Sequence, residues 1–136
     1  MNYYDEIKNK LIDNEIYVKV KDYSKERHTL ITHYEVGKLL HEAGRTYGED
    51  IIGNYSKKLM LDVNNKYTPR TLRRMRQLYQ FFEEQKWSPV GTKLSWSHYS
   101  ELLSIKDENK LIYYINLTVE KRLSKRELRL TRIILE

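Results

Sequence analysis

The sequence predicts an all-α fold of about six to seven helices, and three observations predict it. Its 136 residues include only two prolines and five glycines, so little interrupts regular backbone. The alternation of β-branched with polar residues that marks strands is nearly absent. Apolar residues instead recur at spacings of three and four, the period that draws one stripe along a helix. No linker, repeat or low-complexity segment divides the chain, which reads as a single domain, 1–136, able to bury on the order of two thirds of its unfolded surface.

The elements follow in order. A short first helix is predicted over about Tyr3–Leu11. A long second helix starts near Asn14 and carries Ile16, Val20, Tyr23, Leu30, Tyr34 and Gly37 on one stripe that Arg27 interrupts. Gly44 is its predicted left-handed end, and Gly48 opens the next connection. A third helix, about Glu49–Asn64, buries Ile52, Tyr55, Leu59 and Val63. The short turn Asn65–Thr68 makes the third and fourth helices neighbours in a helix-turn-helix-like unit spanning about 49–85. Trp87 and Pro89 fall where the chain changes direction. The C-terminal helices, about 95–135, start near Ser95, at Asp107 and at Ser124. The last of these opens the pattern Ser124-Lys125-Arg126-Glu127, a capping box. The first of them carries Trp96, Tyr99, Leu102 and Leu103, the second has Leu111, Ile112, Ile115 and Val119 as core candidates, and the last carries Leu128, Ile133 and Leu135, with the apolar end Ile133-Ile134-Leu135 able to pair in a dimer.

The fourth helix is the most distinctive. Thr68 is its predicted N-cap and Pro69 its first residue, a pairing that satisfies one orphan N–H and removes another. At ~100° per residue, Leu72, Met75, Leu78, Tyr79 and Phe82 share one arc, Arg70, Arg73, Arg74 and Gln77 lie opposite, and Arg76 sits at the border. A basic surface thus begins at a helix N-terminus, which itself favours phosphate. Glu83 and Glu84 lie too far along to neutralise Arg70, Arg73 and Arg74. Such uncompensated like charges at helical spacing are mildly unfavourable, which points to a polyanion or an acidic partner. The arginine fork suits phosphate, guanine edges and protein carboxylates alike.

Charge elsewhere supports the same reading. Twenty-five Lys and Arg against nineteen Asp and Glu give a net charge of +6, and much of the excess sits on the fourth helix and near the C-terminus, where Lys125, Arg126 and Arg129 form a second candidate patch. Lys66, Tyr67 and Gln77 flank or extend the first, Tyr67 because a phenol in the turn would reach a phosphate or sugar. The absence of cysteine excludes disulfides, thiolate nucleophiles and cysteine-held metal and suits a reducing cytoplasm. No apolar run reaches membrane-spanning length.

Catalysis is not expected. Glu84-Gln85-Lys86 and Glu108-Asn109-Lys110 spell E-x-K, a pattern that serves metal-dependent cleavage when a sheet presents it, but both fall on helical segments. His28, His33 and His41 are spaced by five and eight, not the four that brings two imidazoles to one zinc. His98 has no recognisable nucleophile or carboxylate pair beside it and reads as structural. Neither metal nor cofactor is expected.

Two blocks carry a resemblance. Tyr67-Thr68-Pro69-Arg70-Thr71-Leu72-Arg73-Arg74-Met75-Arg76-Gln77-Leu78-Tyr79 and Leu94-Ser95-Trp96-Ser97-His98-Tyr99-Ser100-Glu101-Leu102-Leu103, with Tyr34-Glu35-Val36-Gly37-Lys38-Leu39-Leu40 and Tyr47-Gly48 upstream, are similar to the N-terminal domain of YhcG-type proteins. In that family a helical module of unassigned function precedes a PD-(D/E)XK nuclease domain, so the resemblance implies a DNA-related role. The sequence ends at Glu136 without that domain, and nuclease activity is not carried over. More loosely, Leu94 to Leu128 is similar to the region after the helix-turn-helix of ParB-type partition proteins.

The reading is a non-catalytic nucleic-acid-binding module, with DNA favoured over RNA and a homodimer compatible. The alternative is a protein-interaction module, either a specificity subunit of a nuclease assembly or a mobile-element inhibitor of the anti-CRISPR kind.

Overall fold

A computed structural model describes residues 2–20 and 25–136. Seven α-helices and no strand occur among the described residues: α1 Tyr3–Val20, α2 Lys25–Tyr47, α3 Ile51–Asp62, α4 Pro69–Gln85, α5 Trp96–Leu102, α6 Glu108–Lys121 and α7 Lys125–Leu135. The helices fall into two units, Met1–Gly91 and Thr92–Glu136.

In the first unit α2 is the central helix, packed along both α1 and α4, with α3 against α2 and α4. Its inward stripe runs Leu30, His33, Val36, Gly37, Leu40 and Ala43, all buried. Leu72, Met75, Leu78 and Phe82 of α4 face it fully buried, each such side chain worth about 2 kcal/mol against exposure. The two helices come close at Gly37, since a Cβ there would meet the Met75 carbonyl oxygen. After α4, Lys86 turns left-handed at φ 59°. Trp87 then sets its ring edge-on to Phe81 and Phe82, and a 3₁₀ turn, Pro89–Gly91, lies on α2.

Phenols tie this unit across long stretches of chain. Tyr4 donates to Asp62 at 2.6 Å, Tyr67 donates to Glu15 at 2.6 Å, and Tyr34 donates to Glu83. Each phenol is held above its ordinary pKa by burial first and its carboxylate second.

Several predicted boundaries move. The first helix does not stop near Leu11 but runs on to Val20, and Ile16 and Val20 belong to it with 57% and 68% of their surface exposed. Asn14 is no cap. It occupies the inward stripe after Ile7 and Leu11, 2% exposed, and its Oδ1 accepts from Thr29 at 3.2 Å and lies 2.7 Å from His28 Nδ1. Tyr23 lies outside the described residues. The second helix passes through Gly44 and ends at Tyr47, because Gly48, at φ 93°, takes the left-handed position. The third helix is trimmed to Ile51–Asp62, and Val63 is only half-buried at its C-cap.

The second unit is built on caps. Ser95 and His98 close a capping box on α5. The imidazole accepts the Ser95 N–H at Nδ1 and meets the Leu123 carbonyl at 2.7 Å through Nε2, which fixes the Nε2–H tautomer and ties α5 to the turn before α7. Asp107 accepts from Asn109 and Lys110 at the start of α6, and Ser124 and Glu127 form the predicted box on α7. The core here is Tyr99, Leu102, Leu103, Leu111, Tyr114, Ile115 and Leu128. Ile112 and Val119 are half-buried. On α7 Leu128 is fully buried, while Ile133 and Leu135 are 68% and 54% exposed.

Candidate functional site

The basic face of α4 begins as its sequence requires. Thr68 Oγ1 accepts the Thr71 N–H at 3.2 Å, and Pro69 stands at the first turn. Leu72, Met75, Leu78, Phe81 and Phe82 turn inward, while Arg70, Arg73 and Gln77 are exposed and Arg74 is half-exposed. The main support of this helix is α2, where the sequence suggested the third helix.

The arginines are not uncompensated. Glu49, in the connection between α2 and α3, takes Arg76 in a two-pronged contact of 2.7 and 3.0 Å and lies 3.7 Å from Arg73 Nε. Hydrogen bonding from Arg76, against a smaller opposing effect of desolvation, holds the Glu49 carboxyl below its usual range. Arg74 Nη1 donates to Gln77 Oε1 at 2.7 Å. Glu49 thus meets two of the four guanidiniums, Arg73 and Arg76, and the ion pairs among the described residues leave Arg70 out. Glu49 escaped the sequence reading because it lies 27 residues from Arg76, beyond any helical spacing.

Tyr67 is a correction. It is fully buried, with its hydroxyl on Glu15 and its carbonyl accepting from buried Ser56 at 2.8 Å, so it cannot reach a ligand. The signal was present: Tyr67 precedes the N-cap and Leu72 is the fourth helical residue, the two positions of a hydrophobic staple, and both are fully buried. Lys66 pairs with Glu15 at 2.9 Å and stands 5.4 Å from the Tyr67 ring centroid, which leaves it a modest contributor.

In the second unit the patch on α7 is also thinned. Arg129 donates to Glu101 at 2.7 Å, and Arg132 lies 3.5 Å from the same carboxylate. Lys125 and Arg126 remain outside these pairs, Arg126 exposed.

The histidines are placed by packing. His28 stacks on Tyr17 at 3.7 Å, His41 lies 3.3 Å from Gln80, and His33 is buried, with a pKa lowered to about 3 by desolvation first and by Lys66 second. Both E-x-K tripeptides lie at helix ends, the first at the close of α4 and the second opening α6. Among the described residues, no group of three or more His, Asp or Glu is arranged to hold a metal ion, and no helix is long and apolar enough to cross a membrane.

A family model, the DUF1016 N-terminal domain, matches residues 10–133. The chain belongs to the DUF1016 N-terminal domain family. The match takes in both units, so the DUF1016 N-terminal domain includes the arginine helix and the capped helices α5 to α7 together. No curated protein and no solved structure matches the chain.

Proposed function

We propose that this DUF1016 N-terminal domain is a non-catalytic nucleic-acid-binding module, with DNA the preferred polymer, of the kind that accompanies nucleases of the YhcG type. One observation carries the reading: α4 presents Arg70, Arg73 and Arg74 on the face opposite its buried stripe, from a capped helix N-terminus. Arg70 docks phosphates or base edges, Arg73, Arg74 and Arg76 join by exchanging their present partners for the ligand, and Gln77 reaches an adenine edge. Lys125 and Arg126 supply a second cationic patch, with Lys66 and Arg129 adding less. Docking is electrostatic and releases counterions.

The second reading, an interaction module within a nuclease assembly or an inhibitor of one, draws on Glu49 itself: the arginine fork already grips a protein carboxylate at 2.7 Å. A single experiment separates the two. Binding to duplex DNA, single-stranded DNA and structured RNA is measured across a salt series, for the protein and for the Arg70→Ala/Arg74→Ala variant. Salt-sensitive binding whose slope falls by about 2 in the variant supports the nucleic-acid module; no binding to any polymer at low salt overturns it and favours the protein partner.

A further inference from the structure

A pocket of about 470 Å³ opens in the first unit, lined by Asn2, Tyr3, Tyr47, Ile51 and Tyr55. That volume lies in the range of sites for small molecules, roughly 300–1,000 Å³. Tyr47, the last residue of α2, is 60% exposed, and its ring stands 6.3 Å from that of Tyr3 at 81°. Two rings at nearly a right angle make a corner with a π face on each wall. Tyr55 supplies the buried side. Its phenol is pushed up in pKa by burial first and by the Tyr47 and Tyr3 phenols second, so the three hydroxyls gather about one space. No hydrogen bond among the described residues takes any of these three hydroxyls, whereas Tyr4, Tyr34 and Tyr67 each give theirs to a carboxylate.

The charge beside this corner is negative. Asn2 Nδ2 donates to Asp5 Oδ2 at 2.8 Å, so the lining amide holds a carboxylate at its side. Asp50 directly precedes Ile51 and is exposed; its side chain makes no cap bond to α3 and joins no ion pair among the described residues. The positive ends of α1 and α3, which open here, are answered by these same two acids. Two cations linked to the pocket through Tyr4 are already engaged: Lys8 lies 3.7 Å from Asp62, the acceptor of the Tyr4 hydroxyl, and Lys58 stands 5.2 Å over the Tyr4 ring. Since Tyr4 packs on Tyr55 at 5.5 Å, a phenol of this cluster already takes an ammonium group on its face. Open ring faces, free hydroxyl oxygens and carboxylates at the edge all favour a positive ligand and disfavour an anion. With no group of three His, Asp or Glu among the described residues arranged for a metal ion, the chemistry suits a weakly hydrated organic cation.

We propose that this corner binds an alkylammonium group, carried either by a small quaternary ammonium solute or by a methylated lysine side chain of a partner protein. The rings of Tyr3 and Tyr47 hold the methyl groups, Tyr55 closes the floor, and Asp5 and Asp50 supply the opposing charge. The site stands apart from the nucleic-acid reading of α4 and survives or fails without it.

The test is a titration followed in the amide NMR spectrum with three probes: choline, its uncharged carbon isostere dimethylbutanol, and a short peptide containing trimethyllysine. The protein is compared with Tyr47→Ala and Tyr47→Phe, whose own spectra report that they are folded. Choline and the peptide are expected to shift the amides of Tyr47, Ile51 and Tyr55 saturably, the tighter of the two identifying the source. The isostere should bind about fivefold more weakly or less, Tyr47→Ala should lose about fivefold for the cations, and Tyr47→Phe, which keeps the ring, should retain them. Equal binding of choline and the isostere overturns the proposal, because the pocket then responds to apolar volume and not to charge. An affinity unchanged in Tyr47→Ala, shifts confined to other residues, or no saturable shift with any probe also overturns it.

Discussion

Gly37 and Met75 meet backbone to backbone: a Cβ at position 37 would stand 2.1 Å from the Met75 carbonyl oxygen and 2.7 Å from its carbonyl carbon. Neither atom can swing aside as a side chain does, so α2 and α4 would have to separate. Gly37→Ala is expected to cost roughly 3 kcal/mol by overpacking, despite alanine's better helix propensity. Chemical denaturation measures it; a neutral or stabilising effect would mean that the two helices separate without penalty.

His33 makes the fold acid-sensitive. Its folded pKa is lowered to about 3 from an ordinary 6.5, so between those values the unfolded chain binds the proton and the folded one does not. Stability therefore falls as pH drops through that window, by up to about 1.4 kcal/mol per pH unit. Carboxylates held low by their partners, Glu15 among them, add loss in the same direction as they protonate. Replacing His33 by glutamine should flatten the upper part of this acid limb, read from denaturation midpoints between pH 7 and pH 4.5.

Tyr67→Phe separates structure from binding at one atom. The variant loses the hydroxyl on Glu15 and keeps the buried ring, for a cost of about 1.5–3 kcal/mol, as for other hydrogen bonds to a charged group. Nucleic-acid affinity should not change, because the ring is fully buried. A specific loss of affinity in a variant that remains folded would return Tyr67 to the binding surface.

His98→Ala removes both a cap and a tether. The Ser95 N–H loses its acceptor and the Leu123 carbonyl its donor, a cap change alone being worth about 1 kcal/mol. Hydrogen exchange should accelerate for the amides of α5 and for the turn at Leu123, while amides of α2 and α4 keep their protection.

Glu49→Gln tests the arginine face from the other side. With the carboxylate neutralised, Arg73 and Arg76 meet phosphates unopposed, and affinity for DNA at low salt should rise about two- to fivefold. The gain should fade at high salt. No change in affinity would place the contact away from this end of α4.

How much of this was legible in the sequence depends on how local each cause is. The starts of α4, α6 and α7 were readable because Thr68, Asp107 and Ser124 act on N–H groups two or three residues away. The division between α1 and α2 was not, because Asn14 looks like a cap and its partners, His28 and Thr29, lie on the next helix. Gly44 and Gly48 are equally able to end a helix, and only tertiary structure decides which takes the positive φ. The arginine face was visible in its periodicity, but the pairing of Arg73 and Arg76 with Glu49 was not.

The three phenol–carboxylate bonds of the first unit join residues 58, 52 and 49 positions apart. Each pairs a neutral donor with an anion at contact distance, far inside the Debye length of about 8 Å in physiological salt, where mobile ions screen little. Framework and ligand capture therefore answer to different solution variables. On the proposed reading, raising ionic strength would release a polyanion from α4 while Tyr4, Tyr34 and Tyr67 keep their carboxylates, so a protein eluted from a charged resin at high salt should leave the column with its helices in place.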